Sequence, residues 1–281
     1  MAMFVPTLHL KSYDKISPLR PKLSVKGKSV LITGGGQGLG LAFARSFAAA
    51  GASRLTLVGR TELRLSSTVD ALRREFPNST FSHYVADITD GAAIKNIFEA
   101  VGAPEILVNN AGNFFGGETF KEVDIKKWWN TMEVNVLGTA IVTQQYLRSK
   151  PAEKEGTVIM LNSAASHWGT FPGMSHYCAS KAGLLRFSEM LQIEHPELRI
   201  VNINPGFVET EMAAKAKEAG LVGMPVSDSE LAGNFGVWAC SEEAEFLKGR
   251  FVLSMFDVGE LMERKEEIVE KNLLTYTIAG Y

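Results

Sequence analysis

Seven short β-rich runs, Ser29 to Thr33, Arg54 to Gly59, Thr80 to Ala86, Ile106 to Asn109, Gly156 to Asn162, Arg199 to Ile203 and Arg250 to Ser254, alternate with segments of helical length and period. Strands that alternate with helices pair in parallel, and a parallel sheet needs helices on both faces. Right-handed crossovers put every strand's carboxyl end on one edge, where such folds bind ligands. The expectation is an α/β, single-domain, doubly wound Rossmann-type fold with its chemistry just after strand ends. A chain of 281 residues buries about three quarters of the surface its unfolded form exposes and suits one domain. Neither an internal repeat nor a flexible linker divides it.

Composition narrows the function classes. A formal charge of −2 from 29 basic and 31 acidic residues offers no field for nucleic acid or an anionic membrane. Two cysteines, Cys178 and Cys240, form neither a disulfide framework nor a zinc-ligand spacing, and the five histidines include no HExxH pair. Metal-free chemistry in a reducing, cytoplasmic setting is expected. No apolar run is long enough to span a membrane. Residues 1–24 carry three prolines and a basic bias; they read as an irregular arm on the domain surface, with an organelle-import segment as the alternative. Residues 25–256 then form the single α/β domain and 257–281 a charged helical tail.

The first strand runs straight into TGGGQGLG, residues 33–40, and then into the apolar helix LAFARSFAAA. Glycines in this position let a phosphate approach the backbone at a helix N-terminus, where free N–H groups and the macrodipole favour anions. The spacing is G-x-x-x-G-x-G (Gly34, Gly38, Gly40) rather than G-x-G-x-x-G, and no P-loop lysine follows. Further along come NNAG at 109–112, Asn135 in MEVNVLG, Ser163 in IMLNSAAS, YCASK at 177–181, and PG at 205–206 followed by Thr210. In this order the motifs resemble the short-chain dehydrogenase/reductase family from about Lys26 to Ser254.

Tyr177 and Lys181 lie four apart, so they emerge from one helix face a turn apart. An ammonium there favours phenolate. Lowering a phenol by about three units corresponds to about 4 kcal/mol, the scale on which nearby cations act in a dry site. The resemblance implies an Asn135, Ser163, Tyr177 and Lys181 tetrad: Tyr177 as general acid and base, Ser163 donating to the reacting oxygen, and Asn135 holding a water against the lysine. It also implies that Thr33, Gly34, Gln37, Gly38, Leu39, Gly40, Asp87, Asn110, Tyr177, Lys181, Pro205, Gly206, Val208 and Thr210 bind a nicotinamide dinucleotide, with Asp87 contacting adenine. No metal site is implied.

NAD enzymes usually place a carboxylate at the end of the second strand to hold the ribose 2′-hydroxyl. Gly59 stands there, and Arg60 beside it can pair with a 2′-phosphate. NADP(H) is the expected cofactor. Gln37 departs from those NADP members that carry a second basic residue in the glycine loop, which leaves Arg60, helped by Thr61.

Residues 207–228 resemble the family's lid over the substrate. Ala164, Ala165, His167, Trp168, Phe171, Met174, Phe207 and Met212 are candidate pocket residues, with Phe114 and Phe115 as further walls. Such an apolar set suits a carbonyl or alcohol on a hydrophobic skeleton. His167 and His176 read as structural residues, with a ligand or additional-acid role as the alternative. The arm and the DVGEL stretch resemble fungal members of the family, several of which serve secondary-metabolite pathways. Helices around Ile125 to Ser149 and Tyr177 to His195 match the family's dimerisation bundle, implying a homodimer or homotetramer. The function expected is hydride transfer between nicotinamide and a carbonyl/alcohol pair. A noncatalytic dinucleotide-binding sensor or scaffold, or an NAD-dependent epimerase, is the alternative.

Overall fold

The strands are built from apolar residues on both faces, as burial beneath two helical layers requires: all five residues of β1 (Ser29–Thr33) are buried. The computed structural model describes residues 4–167 and 172–278. With β1 run β2 (Arg54–Gly59), β3 (Thr80–Val85), β4 (Ile106–Asn109), β5 (Gly156–Leu161), β6 (Leu198–Asn204) and β7 (Arg250–Leu253). They form one sheet in the order β3-β2-β1-β4-β5-β6-β7. Every pairing is parallel, with Val30 opposite both Leu55 and Ile106. The expected strands differ from these by a residue at some ends. Ala86, Asn162 and Ser254 leave their strands where the chain turns at the carboxyl edge.

The order reverses between β1 and β4. Their outgoing chains part to opposite sides, opening a crevice at the carboxyl edge. On one face, α1 (Gly38–Ala49), α2 (Glu62–Glu75) and α8 (Ser229–Ala239) close a core around Phe43, Phe47, Phe235 and Trp238. On the other, α3 (Gly91–Val101), α5 (Thr139–Ser149) and α6 (Ser175–Glu194) cover Leu31, Val58, Leu107, Val158 and Met160. A short helix α4 (Ile125–Met132) continues through a π turn, Glu133–Gly138, into α5. Helix α7 (Glu211–Glu218) follows β6.

Both chain ends are more integral than their sequences suggest. The arm makes 3₁₀ turns at Asp14–Ile16 and Pro21–Leu23 and buries Val5, Ile16 and Leu23 in the α1/α8 core. Three apolar residues without helix or strand period leave no signal of this in a sequence. The tail is two short helices, α9 (Val258–Glu263) and α10 (Lys265–Glu270), with Val258, Leu261 and Ile268 fully buried. Asp257, capping α9, accepts hydrogen bonds from Lys15 (2.9 Å) and Glu260 N (3.1 Å) and pairs with His9 (3.0 Å). Among the described residues, no helix is long and apolar enough to cross a membrane and no cluster of side chains is arranged to hold a metal ion.

Candidate active site

The crevice is a groove of about 300 Å³ along the carboxyl edge. Its floor at one end is the glycine loop. Gly34 N and Gly35 N donate to Val58 O at 2.7 and 3.2 Å, and Gly34 and Gly38 take φ of +67° and +53°. A Cβ on Gly40 would fall on the Gly34 carbonyl oxygen, so only glycine lets α1 start this close beneath the turn. The N-cap of α1, Gln37, makes no side-chain capping bond, which leaves the helix's first N–H groups facing the groove. A Cβ at Gly38 would stand 3.3 Å from Thr210 Cγ2, so the cradle narrows there.

Thr33 and Asn110 work behind this floor. Thr33 Oγ1 accepts from Asn110 N and Ala111 N, both at 3.0 Å, and Asn110 Nδ2 donates to the carbonyls of Thr33 (2.8 Å) and Gly34 (3.2 Å). The Asn110 amide thus holds the two lips of the crevice together. Asn109 Nδ2 donates to Thr143 Oγ1 at 2.9 Å and ties β4 to α5.

At the β2 end, Gly59, Arg60 and Thr61 line the groove. Arg60 is 3.8 Å from Asp87, and both are exposed. Burial would raise the Asp87 carboxyl, but hydrogen bonds from Thr89 and the Arg60 charge hold it below its usual range. Sequence reasoning missed Arg64. From α2 it lines the groove beside Gln37, and its guanidinium pairs with Glu211 at 2.8 Å. A second arginine four residues past Arg60, in the first turn of α2, was the available signal.

At the other end, the four tetrad residues converge. Lys181 is buried, donates from Nζ to Leu161 O at 2.7 Å and stands 5.7 Å from the centre of the Tyr177 ring. Ser163 leaves β5 with its N–H bonded to Asn162 Oδ1 (2.8 Å), its Oγ accepts from Ala165 N (3.2 Å), and its side chain is the neighbour that pulls the Tyr177 phenol down. Asn135 sits in the π turn. Its Oδ1 accepts from Asn113 N (2.7 Å), and its Nδ2 donates to Asn113 O (3.0 Å) and Ser180 Oγ (2.9 Å). Both amide protons are engaged, so a water there would have to donate to an oxygen of Asn135 rather than accept from its amide.

The expected acidifying of Tyr177 by Lys181 differs from what the chain's own groups do. Burial pushes the phenol up to about 12, against the downward pull of the Ser163 hydrogen bond. Burial also pushes Lys181 down to about 8. Lys181 is buried and Tyr177 half-buried at the groove wall, and desolvation disfavours the charged form of each.

Pro205 and Thr210 also line the groove, whereas Val208 is buried and Gly206 turns the chain with φ +80°. Thr210 caps α7, its Oγ1 accepting from Ala213 N at 3.1 Å. Beneath α7, Phe114, Met174 and Ala216 form a small apolar cluster with Ala165, Tyr177, Phe207 and Met212. Of the expected pocket residues, Ala165, Met174, Phe207, Met212 and Phe114 therefore meet beside the tyrosine. Cys178, Ala219 and Leu221 join them unforeseen. His167 faces elsewhere, its ring edge-on to Phe251 at 4.8 Å. His176 binds Phe115 O at 2.8 Å, a structural contact. Trp168 and Phe171 lie outside the described residues.

Comparison with known proteins agrees with this geometry. The family model described as short chain dehydrogenase matches residues 28–220. The short chain dehydrogenase mpl6 of Monascus purpureus is 33% identical, over 96% of this chain and 94% of its own length. The short chain dehydrogenase andI of Emericella variicolor is 31% identical, over 98% and 96% respectively. Among solved structures, L-sorbose reductase from Gluconobacter frateurii, complexed with NADPH and L-sorbose, superposes with a TM-score of 0.74 at 26% identity, over 85% of this chain and 98% of that one. With the glycine loop, Tyr177 and Lys181 in one groove on a sheet of this order, the chain belongs to the short-chain dehydrogenase/reductase family of oxidoreductases.

Proposed function

We propose that the protein is an NADP(H)-dependent oxidoreductase interconverting a carbonyl and an alcohol on a hydrophobic small molecule, with Tyr177 as general acid and base. The observation that carries this reading is the single groove that joins an uncapped helix N-terminus and Arg60 at one end to Tyr177 and Lys181 at the other. The residues fit a dinucleotide. The cradle has no room for a side chain at Gly40 and a positive φ at Gly38, and Lys181 Nζ uses one of its three protons on Leu161, keeping two to donate.

When bound, the nicotinamide supplies or receives the hydride. The remaining work belongs to the chain. The apolar cluster under α7 excludes water and aligns the substrate carbon. Ser163 donates to the substrate oxygen as negative charge develops there, and Tyr177 transfers its hydroxyl proton to that oxygen in reduction and takes one back in oxidation. Since burial alone holds the phenol at about 12, proton exchange at neutral pH requires cations nearby; Lys181, once its ammonium is retained by further acceptors, is one of them. Asn135 fixes the helix turn carrying Lys181 through Ser180.

NADP(H) over NAD(H) is favoured by Gly59 in place of a carboxylate and by the adjoining Arg60. A similar structure is complexed with NADPH, which supports the same choice. A role in secondary metabolism is supported by the similarity to fungal short chain dehydrogenases. Exposed Ile125, Trp129, Leu137 and Ile193 on the faces of α4, the π turn and α6 support a homo-oligomer. The test is a panel of ketones and alcohols assayed with NADPH, NADP, NADH and NAD. NADPH-linked turnover that Tyr177→Phe lowers about 10²-fold or more is expected; turnover close to wild type in that variant overturns the reading.

A further inference from the structure

Glu211 opens α7, on the side of the groove opposite Arg64, yet its carboxylate reaches across to two residues there. Arg64 Nη2 and Nη1 donate to its two oxygens at 2.8 and 3.1 Å, and Gln37 Nε2 donates at 3.1 Å. Arg64 also donates to Gln37 Oε1. Three elements, the N-cap of α1, the first turns of α2 and the first turn of α7, are thus joined over one stretch of groove. All three residues line it.

A guanidinium fork that grips a carboxylate through two parallel bonds offers the same fork to phosphate oxygens. Arg64, in the first turn of α2, lines the groove together with Arg60, on the lip where Gly59 leaves room for a 2′-phosphate. The dianionic phosphate carries more charge than Glu211 and meets two cations where the carboxylate meets one. Glu211 is ionised throughout the neutral range, because hydrogen bonds from Arg64 and Gln37 hold its carboxyl below the usual range. It is therefore an anion already seated on the cation.

We propose that Arg64 is a second ligand of the NADP(H) 2′-phosphate, that Glu211 holds its place in the cofactor-free protein, and that phosphate arrival displaces the carboxylate and releases the first turn of α7 from the glycine loop. The inference rests on the NADP(H) reading and adds to it a coupling between cofactor choice and the element covering the substrate cluster. Gln37, where some family members carry a base, then steers both anions by its amide instead of competing with them.

Calorimetric titration with adenosine 2′,5′-bisphosphate and with AMP tests this without turnover, alongside NADPH and NADH binding by fluorescence. Arg64→Ala is expected to weaken the bisphosphate and NADPH about tenfold or more while leaving AMP and NADH within about twofold, as loss of charge-assisted hydrogen bonds implies. Glu211→Ala is expected to tighten the phosphorylated ligands only. Trypsin cleavage at Lys215 and Lys217 should quicken when the bisphosphate is added to wild type, and be fast without it in Glu211→Ala. Equal weakening of all four ligands by Arg64→Ala, no weakening, or weaker NADPH binding by Glu211→Ala overturns the proposal. A wild type that binds NADPH no more tightly than NADH defeats the NADP(H) reading itself. A wild type that discriminates, with discrimination intact in Arg64→Ala, defeats only the role of Arg64. Unchanged melting of both variants confirms that folding is not the cause.

Discussion

Lys181 donates to the carbonyl oxygen of Leu161 at 2.7 Å, tying the helix that carries Tyr177 to the last residue of β5. The ammonium reaches this bond only by being buried, which pushes its pKa down to about 8. A folded pKa below the unfolded one means that the unfolded chain binds more protons between the two values. Stability therefore rises with pH from about 8 to about 10.4. Below that window, keeping the charge buried costs about 3 kcal/mol, partly offset by the bond to Leu161.

Lys181→Met should accordingly lose turnover yet melt no lower than wild type at pH 7, because the methionine fills the site without a charge. Thermal melts from pH 7 to pH 10 check this. The wild type should gain on the variant as pH rises. A variant less stable by more than about 2 kcal/mol at pH 7, the scale of an orphaned buried carbonyl, would show that the bond to Leu161 outweighs the burial cost.

Tyr177→Phe removes one hydroxyl from a ring held edge-on to Phe114, with centroids 5.3 Å apart. The packing survives, so melting temperature and NADPH affinity should be nearly unchanged. Turnover is expected to fall about 10²- to 10⁴-fold, the scale of lost general acid catalysis. Stopped-flow measurement of cofactor oxidation separates that loss from weakened binding.

Gly40→Ala puts a methyl group on the Gly34 carbonyl. The contact is backbone on one side and a helix on the other, so the glycine loop must shift. The expected result is loss of dinucleotide binding with a destabilisation of about 1–3 kcal/mol, typical of overpacking, measured by urea titration and NADPH fluorescence.

Asp257 joins the arm to the tail. Burial would raise its carboxyl, but hydrogen bonds from His9, Lys15 and Glu260 N hold it down at about 2. A depressed folded pKa gives stability that is present above about pH 4 and lost as pH falls toward 2, worth about 2 kcal/mol. Asp257→Asn should be less stable than wild type by that amount at pH 7, with the gap narrowing below pH 4. A gap independent of pH would assign the loss to packing rather than charge.

Periodicity and spacing carried much of this protein. Alternating runs gave away seven parallel strands, and TGGGQGLG after the first of them marked the dinucleotide end of the groove. YCASK put a phenol and an amine on one helix face, because i and i+4 neighbours are set by local geometry alone. Side-chain partners far apart in the chain have no such rule. The Gln37 to Glu211 bond spans 174 residues and the Arg64 to Glu211 bond 147, so only the way α7 lies across the glycine loop could bring them together. Tertiary structure likewise buried the arm through Val5, Ile16 and Leu23 and drew Asn135 onto Asn113 and Ser180. It also set the charge balance around Tyr177 and Lys181. A sequence states which groups can ionise, but how dry their surroundings are, and hence which form is favoured, follows from what the whole chain packs against them.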